Sequence, residues 1–543
     1  MWSDRRGNWS VWIMALVLLA SVVGCAGTSK PTPAAGSKGR THLQIEVDEP
    51  ATVDFQCTTV GYTVAYNVFN RLVEIRGNGD HATISPSLAE SWEESDDGLT
   101  YTFRLRDGVT FSNGSALGSD DVYYTFKRML TVKGATNRDI VRDILGAAAL
   151  EKGETDELAG FTIIDDLNFA IELEKPFSAF LASLAMPGAS IMDAQSMQDN
   201  GKGFGTDPAA TIGTGPYVFR EWIPGQKIVL EANPACFEGA PANDGVDLLF
   251  IGDCAAESKL YQDGKLDILS PDELGSLGEY YLHGDVFADL LYSVHQVAID
   301  YVALNESIKP LDDVRVRKAL QLSLDRQTLL DASYNGNGTI ENGIFPTGLI
   351  GHNDDLEEIP YDPEEAKRLL AEAGYPDGID LEFTLRSIST AWQVDLVDMM
   401  VEMWSRVGIR ANITVATDEE FMEARTTGKV AAYIATWAAD YDDPDNFIYT
   451  FFGSRENTTN RSLCYPDEDV MRQVRDARAI VEEEERIKTY HGLEKKIVQE
   501  DAAWIPLFSR DRSYLVSERV KNFTWAWNGW HEPVYREISI DEG

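Results

Sequence analysis

Residues 88–121 read LAESWEESDDGLTYTFRLRDGVTFSNGSALGSDD. Within this stretch Tyr101-Thr102-Phe103-Arg104-Leu105-Arg106 alternates with the two-residue period of a half-buried strand, and Gly108 starts the turn that follows. Ser119 then reads as a helix N-cap, with Asp120 and Asp121 in the first turn, where the helix dipole favours acids. Val122, Phe126, Met129 and Leu130 recur on one helical face. A strand, a turn and an amphipathic helix in close succession predict mixed α/β structure.

The same grammar continues outward. Asp362-Pro363-Glu364-Glu365 supplies a cap, a proline at the first helical position and a Glu at the third. Ala366, Leu369, Leu370 and Ala373 form the apolar stripe, which Gly374 and Pro376 end. Leu381–Leu385 reads as the next strand, followed by a helix from about Asp395 to Val407 and, through Gly408, a strand Ile409–Val415. The chain has 543 residues, 44% of them hydrophobic, among them 22 Phe, 21 Tyr and 12 Trp that need a packed interior. This length holds about two to four domains of roughly 100–200 residues. With 47 Lys+Arg against 89 Asp+Glu, the formal charge is −42, which excludes a phosphate-neutralising role and so a nucleic-acid partner.

The first residues are an address. Arg5 and Arg6 precede a thirteen-residue apolar run, Val11 to Val23, broken only by Ser21. That is shorter than the roughly 20 residues a membrane-spanning helix needs and has the form of a secretory signal. The run ends Val22-Val23-Gly24-Cys25, which looks like a bacterial lipobox with Cys25 as the lipidated residue, and residues 26–40 form a flexible tether. The expected location is outside the cytoplasm, lipid-anchored to the membrane of a bacterial cell. Cys57, Cys236, Cys254 and Cys464 remain, enough for two disulfides in an oxidising compartment. Cys236 and Cys254 follow two apolar stretches with the look of hairpin neighbours, which favours that pair. No C-x-x-C is present and the His are scattered, so no metal site and no cofactor is expected.

Several blocks, in order, resemble the family 5 extracellular solute-binding proteins, the dipeptide and oligopeptide receptors of ABC importers. They are residues 88–121; Gly213-Thr214-Gly215-Pro216-Tyr217 with Glu221-Trp222 and Pro224-Gly225; Val314 to Arg326 with Gly336 to Pro346; Tyr361 to Gly378; Trp437 to Phe447; and Trp504 to Phe523. The resemblance covers the chain after about residue 41. It implies a two-lobed, periplasmic-binding-protein-like α/β fold, with a ligand cleft between the lobes and two hinge crossings. On that analogy residues 41–300 plus 505–543 form lobe I, with an inserted subdomain at about 73–194, and residues 301–504 form lobe II. Val297-Ala298-Ile299 and Trp504-Ile505-Pro506-Leu507 are apolar enough to be the paired crossings.

The resemblance also implies a site. In peptide receptors of this family, the segment matching Thr436-Trp437-Ala438-Ala439-Asp440-Tyr441 lies in the cleft. On that basis Asp440 holds the peptide ammonium and Trp437 walls a pocket, while Thr436, Ala438 and Tyr441 complete a strand that pairs with the ligand backbone. The family has Gly where this chain has Thr436. Arg386 falls near the place of an Arg that holds a C-terminal carboxylate, and Val64 matches a position beside the ligand backbone. Two other readings stay open for Asp440, Asp442, Asp443 and Asp445: a calcium loop, though Asp445 stands where its turn glycine belongs, or an acidic surface turn. Arg386 reads equally well as a solvated strand-end arginine.

The implied function is a monomeric, lipid-anchored receptor that captures di- or oligopeptides and delivers them to a membrane permease. The alternatives are a non-peptide solute on the same scaffold (a nickel chelate, haem or an oligosaccharide) and a peptide-signal sensor. The sequence has no G-x-S-x-G, H-E-x-x-H, G-x-x-x-x-G-K-[ST] or G-x-G-x-x-G, which leaves a secreted hydrolase last and the expected answer no enzyme.

Overall fold

The decisive stretch folds as two antiparallel strands, Ala89–Glu94 and Thr100–Leu105, joined by a turn in which the Gly98 N–H donates to the Ser95 carbonyl at 2.8 Å. The helix that follows, Ser119–Thr131, buries Val122, Phe126, Met129 and Leu130 as the spacing predicts. Its cap differs from expectation. Gly118 is the N-cap residue, its N–H donating to the Asp121 carboxylate at 2.9 Å, while the Ser119 N–H donates to the Asp166 carbonyl at 2.8 Å. Asp121 thus satisfies the Gly118 N–H from inside the first turn, and Ser119 is the first helical residue instead of the cap. Asp362 does cap its helix, accepting from the Glu365 N–H at 2.9 Å.

The computed structural model describes residues 41–541 apart from 60, 78–81, 275–276, 390, 528, 530 and 531. The signal segment, Cys25 and the tether lie outside the described residues. No helix among the described residues is long and apolar enough to cross a membrane.

One curled twelve-stranded sheet runs through the molecule. One end is built by Ile409–Ala416, Ile379–Arg386, Ala432–Ala438 and Ala298–Leu304, the other by His42–Glu46, Gly245–Leu249, Lys227–Ala232 and Tyr217–Ile223. The long strand Trp504–Val516 joins them. Its first half pairs with Ala298–Leu304 and its second half with Leu291–His295 and Ile268–Leu269. The two segments expected to be the crossings thus lie side by side, as antiparallel neighbours. Pro506, which has no N–H for a ladder, is tolerated there because the register shifts between Asp300 and Tyr301.

Burial explains the apolar crossings. Every residue of Ala298–Leu304 is buried: Ile299, Tyr301 and Ala303 enter one core, Val302 and Leu304 the core on the opposite face. A strand covered on both faces reads as a continuous apolar run. A separate four-stranded sheet, Ala89–Glu94, Thr100–Leu105, Asn168–Glu172 and Phe161–Ile163, carries a core of its own reaching from Leu72 to Ile191.

The four described cysteines are free, which overturns the favoured Cys236–Cys254 pair. Lys227–Ala232 and Gly245–Leu249 are indeed antiparallel neighbours. However, Cys236 follows the strand end that meets Gly245, whereas Cys254 lies beyond Leu249, opposite Lys227. The two thiols sit at opposite ends of the hairpin.

Candidate functional site

A cavity of about 800 Å³ opens between three chain segments and one outlying acid. Residues 66–77 form one wall, the C-terminal segment 524–537 another, Pro216 and Glu238 contribute a third, and Asp440 reaches in from the end of the strand Ala432–Ala438. That volume is within the roughly 300–1,000 Å³ typical of small-molecule sites.

The first wall is set by close backbone packing. Gly215 N–H donates to the Val68 carbonyl at 2.9 Å, and Thr214 Oγ1 donates to Asn70 Oδ1 at 2.9 Å. A Cβ on Gly213 would lie 2.0 Å from the Val68 carbonyl oxygen, so only glycine lets this loop press on the segment that presents Tyr66, Asn67, Asn70 and Arg71. The C-terminal wall is a hairpin, with Ala526 N–H donating to Glu532 O at 2.7 Å and Val534 N–H to Thr524 O at 2.9 Å. Its tip meets the segment that carries Asp440: Trp527 is buried in a core with Tyr301, Phe447 and Trp504, and a Cβ on Gly529 would lie 2.1 Å from the Ala439 carbonyl oxygen.

Asp440 follows the strand Ala432–Ala438 and is held by one side chain. Asn446 Nδ2 donates to Asp440 Oδ2 at 3.1 Å, while Asn446 Oδ1 accepts the Asp440 N–H at 3.0 Å and the Trp437 indole N–H at 3.3 Å. Burial pushes the Asp440 carboxyl up to about 6, with the Asn446 hydrogen bond and the more distant charge of Arg461 opposing. Burial also pushes Glu532 up to about 7, opposed by Arg512. The Tyr66 phenol is raised well above its usual range, by burial first and then by Glu532, with Asp440 adding and Arg71 opposing. The cavity thus brings the carboxylates of Asp440 and Glu532 beside the aromatic rings of Tyr66, Trp525 and Tyr535.

Residues 83–459 match the family described as "Bacterial extracellular solute-binding proteins, family 5 Middle". The chain belongs to that family. Heme-binding protein A of Haemophilus influenzae is 30% identical over 487 residues, covering 87% of each chain. Probable di/tripeptide-binding protein 5 of Pseudomonas aeruginosa is 30% identical over 496 residues, 87% of this chain and 90% of that one. In structure, a periplasmic oligopeptide-binding protein from Borrelia burgdorferi superposes with a TM-score of 0.77 at 24% identity, covering 92% of this chain and 100% of that one. At that identity the likeness speaks for the fold alone.

Against this family 5 frame, the residues expected at the site divide. Asp440 lines the cavity. Trp437 stands behind it, its indole edge-on to Phe451 at 5.4 Å and covered by the Arg461 guanidinium at 4.5 Å. Thr436 Oγ1 donates to buried Asp300, which pairs with Arg510 at 3.0 Å. Ala438 is buried opposite Ala298. Among the described residues, the strand Ala432–Ala438 has a full ladder only with Ala298–Leu304; on its other edge it meets a neighbour at Ala432 alone. Residues 433–438 have no strand partner on that edge among the described residues.

The other expected residues lie elsewhere. Tyr441 is buried, joins the core spanning Leu72 to Ile191 and donates to Asp445 Oδ2 at 3.1 Å. Val64 is buried in the helix Thr63–Val68. Arg386 ends its strand paired to Asp418, its guanidinium 5.5 Å from the Phe421 ring, and does not line the cavity. The neighbouring acids have protein partners: Asp442 accepts the Ile350 N–H at 2.7 Å, Asp443 pairs with Arg486 at 2.6 Å and Asp445 with Arg478 at 2.9 Å. No group of three or more metal-ligating side chains is poised for an ion among the described residues.

The sequence reading missed Arg71, Tyr66 and the hairpin carrying Trp525, Trp527 and Glu532. Arg71 is only 7% exposed, with its guanidinium 5.3 Å from the Tyr66 ring. An arginine and an acid within aromatic-rich segments were visible signals, but nothing local distinguishes them from the many charged residues elsewhere.

Proposed function

We propose that this family 5 protein is the extracytoplasmic receptor of an ABC importer and that its ligand is a short peptide, bound without chemical change. Lobe I is residues 41–300 plus 505–543, lobe II is 301–504, and the ligand is enclosed between them. Cys25 carries the lipid that keeps the receptor beside its permease. The observation that supports the peptide reading best is Asp440: a carboxylate fixed by Asn446, raised by burial and facing the cavity. A partly buried carboxylate with no ion pair among the described residues favours a ligand that brings a cation, and an α-ammonium is that group in every unblocked peptide. The edge at 433–438, unpaired by any described strand, adds support, because strand addition binds backbone without reading side chains.

Calorimetry tests the reading. Unblocked di- and tripeptides are expected to bind and their N-acetyl derivatives to lose most of that affinity; equal binding of both would overturn it.

A second reading follows from the 30% identity to a protein named for haem binding. The aromatic walls at Tyr66, Trp525 and Tyr535 suit a flat ring system. Titration with haemin, followed by the change in its absorbance band, separates the two: saturable 1:1 binding that excludes peptides would favour haem.

A further inference from the structure

We propose that Arg71 receives a carboxylate of the ligand, so that the cavity binds a short zwitterion between an acidic pole at Asp440 and a basic pole at Arg71. The proposal rests on the peptide reading above and adds to it the group that recognises the ligand's negative end.

A guanidinium carries five N–H donors in a planar fork that matches a carboxylate. Arg71 uses hardly any of them. Its one hydrogen bond among the described residues runs from Nη1 to the Phe69 carbonyl at a long 3.4 Å, and its Nε is buried with no hydrogen-bond partner. No carboxylate among the described residues forms an ion pair with it, whereas the other two arginines lining the cavity are neutralised: Arg76 by Glu74 at 2.6 Å and Glu238 at 3.2 Å, Arg536 by Glu238. The Tyr66 ring offers only a cation–π contact, worth about 0.5–2 kcal/mol. A cation this buried normally has an anion beside it, because leaving one uncompensated costs several kcal/mol.

The acids across the cavity do not supply that anion. The charges that act on Asp440 and Glu532 are those of Arg461 and Arg512, not that of Arg71. Tyr66 lines the same cavity, and its hydroxyl is within electrostatic reach of Asp440, Glu532 and Arg71. A ligand pinned at both ends is limited in length. A sphere of the cavity's volume is about 11–12 Å across, room for about three extended residues at roughly 3.3–3.6 Å each. A peptide C-terminus and a porphyrin propionate present the same carboxylate, so the test needs both.

The full chain in detergent is titrated calorimetrically with Ala-Phe, its C-terminal amide and its N-acetyl derivative, and with haemin against haemin dimethyl ester. The unaltered protein is expected to bind Ala-Phe at least thirtyfold more tightly than the amide. In Arg71→Met the ratio is expected to fall toward one, and in Arg71→Lys to stay between. Because removing a buried arginine endangers folding, the acid-to-amide ratio on the unaltered protein carries the test. Acid and amide bound equally by the unaltered protein overturn the role of Arg71 while leaving the peptide reading intact. If only haemin binds, the peptide reading fails, and the loss of affinity in the dimethyl ester then upholds Arg71 as the carboxylate site. If no probe binds, both fall together.

Discussion

Asn446 grips Asp440 from two directions at once, donating to its carboxylate at 3.1 Å and accepting its backbone N–H at 3.0 Å. The same amide oxygen also accepts the Trp437 indole N–H at 3.3 Å, so one side chain sets both the acid and the aromatic wall behind it. The arrangement leaves the outer face of the carboxylate for the cavity.

Replacing Asn446 by Ala strips acceptors from two N–H groups and a donor from the acid. Stability is expected to fall by about 1–3 kcal/mol, the usual penalty for unpaired buried groups. Peptide affinity should drop roughly tenfold, about 1.4 kcal/mol, because the carboxylate is no longer held in place. Urea unfolding and calorimetry on the same variant check the two effects separately.

Asp440→Ala acts on the ligand itself. Binding of free-amino peptides is expected to weaken by about 2–5 kcal/mol, as for truncating one partner of a buried charge pair. Binding of N-acetyl peptides should hardly change, since their nitrogen carries no charge. Normal affinity of the variant for unblocked peptides would remove Asp440 from the site.

The acid's titration gives a pH signature. In the free protein the Asp440 carboxyl stands at about 6, above its ordinary value, and a bound ammonium would lower it. Binding therefore releases a proton below that value and is strongest above it. Affinity should be flat above about pH 7 and fall by about tenfold per pH unit below about 6. Calorimetry in two buffers of different ionisation enthalpy at pH 5.5 should register proton release; a pH-independent affinity from 5 to 8 would contradict the assignment.

The elements that form by local rules were legible from the residues alone. Asp362 caps its helix because cap, proline and Glu lie within one turn, and the apolar Val297-Ala298-Ile299, read as a crossing, opens a strand whose burial on both faces only the fold reveals. Where a distant group intervenes, the local reading goes astray. The Ser119 N–H is taken by Asp166, and Cys236 and Cys254 are separated by the direction of a hairpin. Asp440 came from the family pattern. The interest of Arg71 lies in the ion-pair partner it lacks among the described residues, and that is a tertiary property that no spacing encodes.

Buried acids also set the pH dependence of stability. Glu46 is pushed up to about 8 by burial, with Glu257, Glu273 and Asp48 adding to it, while Glu257 and Glu494 stand at about 7, burial again the largest cause. These groups hold more protons in the folded chain than at an unfolded value of about 4.3, so stability falls as pH rises from about 4.5 to 8. Asp247 works the other way: lowered to about 2 by His42 and Lys227 against its burial, it contributes stability that is lost below about pH 4. The net charge of −42 adds self-repulsion at high pH. The melting temperature is expected to peak near pH 5 and to be several degrees lower at pH 8; a melting temperature that climbs steadily across this range would refute the argument.

Arg478 offers the last test, because it joins the smaller sheet's core to the far lobe. Its guanidinium lies between the rings of Phe177 at 4.1 Å and Tyr449 at 3.8 Å, and pairs with Asp445 at 2.9 Å and Asp143 at 3.3 Å. Beside it the Ser178 hydroxyl donates to the Ile480 carbonyl at 2.6 Å, so the contact is a packed junction. Asp445 is almost fully enclosed and also receives the Tyr441 and Tyr490 hydroxyls. Arg478→Met would leave Asp445 without its cation, and stability is expected to fall by about 3–5 kcal/mol. Arg478→Lys keeps the charge but cannot lie flat between two rings while reaching two acids, so it should recover only part of that loss. With the junction weakened, the two bodies are expected to separate more readily, seen as a larger radius of gyration in X-ray scattering of the ligand-free protein. Peptide added to the same sample should reverse the expansion, since a ligand held as proposed would bridge Asp440 to the opposite wall. An unchanged urea midpoint for Arg478→Met would show that the rings, and not the charge between them, hold the junction.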